Sequence, residues 1–310
     1  MINQYREAYK KINNSASYAE LIYPLTNRGF FSEINNLALA VLYCLENNIK
    51  LKVYTKYWVG GNWNDYFNPI LKEYKGIVPI PRDIFVKRRY DPIYRIYHKY
   101  IKNRELIQNG IWNEMGSKQF IEKHFYFPEL GIDGSIFEAK KQIFDIILDY
   151  NNETIEEVFS LSQTDLNFIQ NSCGIHVRRG DKVSGKSKEA ELFDVAVYIN
   201  KINEIGANIQ NITVCTDDFE VLRDFEKHFP EFKYLTFCEL NRSGYFQSDY
   251  NKTENKAQKR AEVINVLKDA NLLINSKVFV GAYSSNISRF VAVMRNNKEC
   301  YSLDIHWTPS

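Results

Sequence analysis

Apolar positions in the second half of the chain fall into short runs separated by segments of helical period. Cys173 to Val177 reads as a short strand, and Asn211-Ile212-Thr213-Val214-Cys215 as another, ending at Thr216-Asp217-Asp218. The pattern predicts a helix over Phe219 to Phe229, a strand over Lys233 to Phe237, a long helix over Lys256 to Ile274 and a buried-type strand over Lys277 to Val280. The chain then enters Gly281-Ala282-Tyr283-Ser284-Ser285-Asn286, which opens a helix through Met294, and Cys300 to Leu303 closes as a last strand. Strands alternating with helices at this spacing describe a Rossmann-like α/β unit with a parallel sheet.

The first half starts with a short strand over Tyr18 to Pro24 and a turn, Thr26-Asn27-Arg28-Gly29-Phe30-Phe31. Ser32 is the expected N-cap of the helix that follows, in which Leu37, Val41, Cys44 and Leu45 recur at helical spacing. Leu51 to Thr55 alternates like a strand, so the segment reads as βαβ. From Arg82 to about Phe127 the pattern loosens and basic and aromatic residues interleave, as in Lys87-Arg88-Arg89-Tyr90 and Tyr94 to Tyr100. Two readings stay open: an insertion of helices whose Lys and Arg stems lie along apolar surface, or a surface of aromatic faces for an acceptor sugar. Pro128 to Gly134 is rich in turn residues, and helical stretches follow to about Leu161.

Composition narrows the function classes. A chain of 310 residues, 45% hydrophobic and 15% aromatic, can bury a sizeable core as one large domain or two. Forty Lys and Arg against 38 Asp and Glu leave a net charge of +2, so no general basic field would hold nucleic acid, and any anion site must be local. The five cysteines, Cys44, Cys173, Cys215, Cys238 and Cys300, are scattered and form no C-x-x-C pair, which argues for free thiols in a reducing compartment rather than zinc or redox chemistry. Met1 to Glu7 carries no apolar signal core, and no run nears the roughly 20 apolar residues of a membrane span, so a cytoplasmic protein without a transmembrane segment is expected.

In open α/β sheets ligands bind beyond the carboxyl ends of the strands. Three segments lie there: His176 to Lys182, Thr216 to Asp218, and Ala282 to Asn286. In the first, Arg178 and Arg179 follow a strand, and guanidinium forks bind phosphate bidentately. Gly180 permits a tight turn and close approach of the backbone. Strand alternation puts His176 and Arg178 on one face and Val177 and Arg179 on the other, so one arginine meets the ligand and the other braces Asp181. A surface ion-pair cluster and an Arg179-Gly180-Asp181 adhesion tripeptide are the alternatives. In the third segment, helix-start N–H groups with the Ser284 and Ser285 hydroxyls make an anion site, or the serines simply cap the helix. Asp217 and Asp218 read as a helix cap or one half of a metal site, and no second carboxylate partner is evident.

Taken in order, His176-Val177-Arg178-Arg179-Gly180-Asp181-Lys182-Val183, Thr216-Asp217-Asp218, Asp269, Tyr283-Ser284-Ser285-Asn286-Ile287-Ser288-Arg289 and Ser302-Leu303-Asp304-Ile305 resemble the catalytic domain of the α1,6-fucosyltransferase family. The likeness runs from Cys173 to Trp307, somewhat less than half of the chain, and the first half adds only its glycine turn near Asn27 to Phe31. It implies a GT-B-like α/β fold, two Rossmann-like domains facing a cleft with a helical insertion in the first. Residues 1–165 form the acceptor-side domain and 166–310 the donor domain in this scheme. It implies GDP-fucose as donor, a glycan or oligosaccharide acceptor, inversion at the anomeric carbon and no metal or other cofactor.

Carried over residue by residue, Arg178 matches the β-phosphate ligand, Ser285 and Asn286 a second phosphate contact, and His176 and Asp269 the guanine side. Asp217 joins the donor-binding set, and Arg28, Gly29 and Phe30 lie where the opposite domain closes over the diphosphate. The catalytic set is Arg178, Asp181, Lys182 and Glu189. The family's general base corresponds in spacing to Lys186, a departure; a short insertion brings Glu189 into register, with Asp181 and Glu191 as alternatives. The departure keeps a non-catalytic glycan- or nucleotide-binding module among the readings, beside transfer from another GDP-sugar or an α1,2 linkage. The family's secreted members carry disulfides and a membrane anchor; their absence here favours a bacterial or viral glycan acceptor over an N-glycan core.

Overall fold

Helix α1 (Ile2–Ser15) opens the chain and buries only Tyr9 and Asn13. Asn13 explains why a polar residue sits there. Its Nδ2 donates to the Leu51 carbonyl at 3.0 Å and its Oδ1 accepts from the Leu51 N–H at 2.7 Å. One side-chain amide thus satisfies both backbone groups of an edge-strand residue, which blunts that edge. The structure is a computed structural model that describes residues 2–58, 60–76, 104–106, 109–182, 191–206, 208–252 and 255–305. It divides into two units, residues 1–151 and 152–309.

In the first unit β1 (Ala19–Pro24), α2 (Phe30–Glu46) and β2 (Ile49–Tyr54) make the predicted βαβ, with β1 and β2 parallel from Ala19↔Ile49 to Pro24↔Tyr54. A third parallel strand, β3 (Arg104–Leu106), flanks β1 on its other side, giving the order β2-β1-β3. Helix α2 buries Ile34, Leu37, Ala38, Val41 and Leu42 completely. It starts at Phe30 with Gly29 at the cap position, not at Ser32. The cause is Glu33, whose carboxylate reaches back to the Thr26 N–H at 2.8 Å and the Thr26 hydroxyl at 3.0 Å. That anchors the turn from inside the helix and leaves Ser32 within the first turn. Helices α3 (Asn109–Met115) and α4 (Lys118–Ile121) lie in the described part of the expected helical insertion, but so does β3, which joins the sheet instead; Lys87 to Tyr100 lies outside the described residues. An antiparallel hairpin, β4 (Phe125–Phe127) and β5 (Ile132–Gly134), leads to α5 (Ile136–Ile147). A reciprocal Ser135–Glu138 capping box starts that helix.

The second unit begins with α6 (Asn152–Phe159) and α7 (Gln163–Gln170). Arg260 of the long helix α11 (Lys256–Asn275) pairs with Glu153 at 3.0 Å and Glu157 at 3.3 Å, which fastens α6 to this unit. The expected boundary after residue 165 falls inside α7. The remaining elements are β6 (Ser172–Val177), α8 (Val195–Ile205), β7 (Asn211–Thr216), α9 (Glu220–His228), β8 (Lys233–Leu235), α10 (Gln247–Lys252), β9 (Val278–Gly281), α12 (Asn286–Met294) and β10 (Cys300–Ser302). All five strands are parallel, in the order β10-β9-β6-β7-β8. Cys173, Ile175, Val177, Ile212, Val214, Val278 and Val280 form the sheet's share of the core, under Tyr198, Ile199, Ile202 and Phe225. All five cysteines are free thiols, with Cys238 and Cys300 partly exposed. No helix among the described residues is long and apolar enough to cross a membrane.

Candidate active site

The second unit's strands run β6, β7, β8 to one side of the sheet, and the chain then returns to lay β9 and β10 on the other. This is the Rossmann order, and its switch point lies between β6 and β9, where crevice-bound ligands sit at the carboxyl ends. Two of the sequence candidates follow these two strands directly: Arg178 after β6, and Ala282 to Asn286 after β9.

The Arg178 loop is held by Asp217 and by Gly244-Tyr245, a segment that carries no motif. Asp217, buried at the end of β7, accepts from the Arg179 N–H at 2.7 Å and from the Tyr245 N–H at 3.2 Å. The same carboxylate pairs with the Arg178 guanidinium at 3.2 Å, and Asp181 approaches that guanidinium at 3.7 Å. The guanidinium also lies over the Tyr245 ring, 5.1 Å from its centroid. Alternation had assigned Asp181 to Arg179; the structure pairs it with Arg178, because β6 ends at Val177 and alternation stops there. Arg179 instead donates to the Arg178 carbonyl at 3.2 Å. Gly180 has φ +72°, and a Cβ there would lie 2.3 Å from the Tyr245 carbonyl oxygen. Gly244, at φ +94°, makes the matching approach to Gly180, and the Gly244 N–H donates to the Asp217 carbonyl at 2.7 Å. Lys182 ends the short 3₁₀ turn Gly180–Lys182.

After β9, the Ser285 N–H closes the turn onto the Ala282 carbonyl at 3.1 Å, and Ser285 is the cap residue of α12. Its side chain makes no capping bond, so plain N-capping does not account for it. A helix start of this kind presents N–H groups that the helix cannot satisfy and favours anions. The Ser284 hydroxyl is buried and has no hydrogen-bond partner among the described residues. Asp304 accepts from the Tyr283 and Ser284 N–H groups at 2.7 and 3.0 Å. Burial works against that carboxylate, but bonds from Ser284, Ser302, Ile305 and Tyr283 hold it below its usual pKa.

His176, in β6, is buried with its Nδ1 3.4 Å from the Ser288 hydroxyl. Burial, helped by the Arg178 charge, pushes its pKa down to about 3, so it is neutral near pH 7. Asp269, in α11, goes the other way. Burial raises it, Arg242 pulls it down and Asp217 pushes it up again, to about 7. Arg242 is itself paired with Glu262 at 2.5 Å. Asp218, one residue ahead of the α9 cap position Phe219, accepts from the Glu220 N–H at 3.1 Å. Among the described residues, no group of three or more His, Cys, Asp and Glu could hold a metal ion.

In the first unit, Arg28, Gly29 and Phe30 form the turn at the carboxyl end of β1. Gly29 has φ −55° and open space where a Cβ would point, so the backbone does not require glycine there. The Phe30 ring is core, 5.3 Å from Phe31 and 5.5 Å from Trp58, which leaves its backbone for any ligand. Glu189, like Lys186, lies outside the described residues. The residues that sequence reasoning missed are Tyr245, Gly244 and Arg242. The glycine at 244 was the one available signal, and it gains meaning only from the glycine it faces.

A family model described as Alpha-(1,6)-fucosyltransferase N- and catalytic domains matches residues 141–299, just over half of the chain. No curated protein sequence matches. Among solved structures, NodZ alpha-1,6-fucosyltransferase soaked with GDP-fucose is similar at 15% identity over 90% of this chain and 93% of that one, with a TM-score of 0.50. Fucosyltransferase NodZ from Bradyrhizobium follows at 14% identity over 89% and 92%, TM-score 0.48. A mutant of Arabidopsis thaliana FUT1 in complex with GDP shows 13% identity over 93% and 73%, TM-score 0.49. At these identities structural likeness speaks for the fold alone, an α/β fold of GT-B type. The family match reaches further: this chain belongs to the α1,6-fucosyltransferase family and is a glycosyltransferase of the fucosyltransferase class.

Proposed function

We propose that this enzyme moves fucose from GDP-fucose to a hydroxyl of a glycan or oligosaccharide, with inversion, in an α1,6-type linkage and without a metal. The observation that carries the reading is that Arg178 and the uncapped start of α12 follow adjacent parallel strands at the switch point of the sheet. Cleavage of the donor leaves negative charge on the β-phosphate as the sugar becomes oxocarbenium-like. Arg178 and the α12 N–H groups, with Ser284, Ser285 and Asn286, stabilise that charge. Asp217, Asp181 and the Tyr245 ring hold the guanidinium before the donor arrives, so little reorganisation is needed. Removing one such donor costs about 2.7–4 kcal/mol, roughly a hundred- to thousandfold in rate.

On the guanine side we assign His176 and Asp269, the ionised carboxylate accepting from guanine N1 and N2. Arg28, Gly29 and Phe30 are proposed as further diphosphate ligands. Glu189 is the proposed general base for the acceptor hydroxyl, with Lys182 also in the proposed catalytic set. The Arg178 guanidinium lies 3.7 Å from Asp181, which favours a holding role for Asp181 over that of base. Free thiols support a reducing, cytoplasmic setting. A thermal-shift comparison of GDP, UDP, ADP and CDP tests the donor. GDP at about 100 times its Kd stabilises by roughly 2.7 kcal/mol, and a shift with UDP but none with GDP overturns the assignment.

A further inference from the structure

We propose that Asp304 is a positioning residue of the phosphate seat, holding the turn from Ala282 to Ser285 so that the first N–H groups of α12 face the donor. The proposal deepens the GDP-fucose reading and rests on it. Asp304 lies just past β10, the strand outside β9. Its Oδ1 accepts from the Tyr283 N–H at 2.7 Å, the Ile305 N–H at 2.8 Å and the Ser302 hydroxyl at 2.8 Å, and its Oδ2 from the Ser284 N–H at 3.0 Å. Two consecutive N–H groups of the turn are therefore tied to one carboxylate that belongs to neither the turn nor the helix.

Arg289 of α12 grips the same peptide from the other side. Its Nε donates to the Tyr283 carbonyl at 2.8 Å, and its guanidinium lies 4.2 Å from the centre of the Tyr283 ring. Tyr283 is thus fixed at its N–H, its carbonyl and its ring by groups outside the turn. The Ser284 and Ser285 side chains take no part in this bracing: the first has no partner among the described residues, and the second makes no capping bond. They remain available to phosphate oxygens. The Arg178 loop is built alike. Asp217, from the strand outside β6, takes the Arg179 N–H. Each inner turn at the switch point is held by an aspartate from its outer neighbour, so Asp304 acts through backbone and touches no substrate.

The test is Asp304→Asn, which sets an amide N–H against a turn N–H. GDP and GMP are compared as competitive inhibitors of GDP-fucose turnover, with thermal melting alongside. Wild type prefers GDP, because its β-phosphate reaches the seat. In Asp304→Asn that preference shrinks by roughly tenfold or more while GMP inhibition stays nearly unchanged, and kcat falls. A merely structural role would lower the melting temperature or the active fraction and leave the GDP to GMP ratio alone. That unchanged ratio, in a folded variant, overturns the proposal. If Asp304→Asn does not fold, Ser302→Ala removes one of the carboxylate's donors, and the ratio must narrow there in the same direction; an unchanged ratio again overturns it. Equal inhibition of the wild type by GDP and GMP sinks the diphosphate reading itself, and this proposal with it.

Discussion

Gly180→Ala isolates the contact on which the Arg178 loop is built. The residue has φ +72°, where a side chain costs about 1–2 kcal/mol in any context. The added Cβ would also meet the Tyr245 carbonyl oxygen at 2.3 Å, its nitrogen at 2.7 Å and its carbonyl carbon at 3.0 Å. All three are backbone atoms, so relief requires moving the chain rather than a side chain, and overpacking of this kind adds about 1–3 kcal/mol. The total is about 2–5 kcal/mol. Gly206→Ala supplies the control, because that glycine has φ +69° and nothing within 4 Å of a Cβ, so only the conformational cost applies. Urea denaturation of the two variants should differ by about 1–3 kcal/mol. Displacing Tyr245 also disturbs its bonds with Asp217 and Asp181 and its ring over Arg178. Donor turnover should therefore fall in Gly180→Ala and hold in Gly206→Ala. Equal stability losses in the two variants would refute the close approach of the 180 and 245 segments.

Three further outcomes follow from the same geometry. Asp217→Ala strips an acceptor from two backbone N–H groups and a partner from Arg178, and should cost about 3–5 kcal/mol in denaturant unfolding; a loss below about 1 kcal/mol would contradict its bracing role. Asp269 is raised from 3.8 to about 7, so its contribution to stability is complete below the unfolded value and fades as pH rises through about 7. Binding runs the opposite way: if its ionised form receives guanine, GDP-fucose affinity should climb as pH rises through about 7, and in Asp269→Asn the climb should vanish. Asn13→Leu leaves the Leu51 N–H and carbonyl without their side-chain partner and should cost about 2–4 kcal/mol by urea titration, with turnover per folded molecule unchanged.

Much of the second unit was legible because its inner strands β6, β7 and β9 are buried on both faces and its strands are bounded by turn residues. Every strand predicted there is present, with ends shifted by a residue or two, as hydrogen-bond criteria and fraying allow. Arg178, Ser285 and Asn286 could be named because each follows a readable strand. What stayed hidden depends on contacts between distant segments. Tyr245 lies in a stretch without apolar period, and its place is set by Asp217 and Gly180. The partner of Asp181 could not be read from alternation, because alternation ends with the strand. Helix α2 begins before its apparent cap since Glu33 reaches back to Thr26. Asp304 belonged to a recognisable motif, yet only the bonds it accepts from Tyr283 and Ser284 say what it does.

The central claim is that Arg178 stabilises charge on the leaving diphosphate. Turnover of GDP-fucose by Arg178→Ala tests it most directly, read as kcat on protein shown to be folded by its melting curve. The expected loss is roughly a hundred- to thousandfold, together with some loss of stability because Asp217 is left without its cation. A folded Arg178→Ala enzyme that turns over GDP-fucose near the wild-type rate would contradict it.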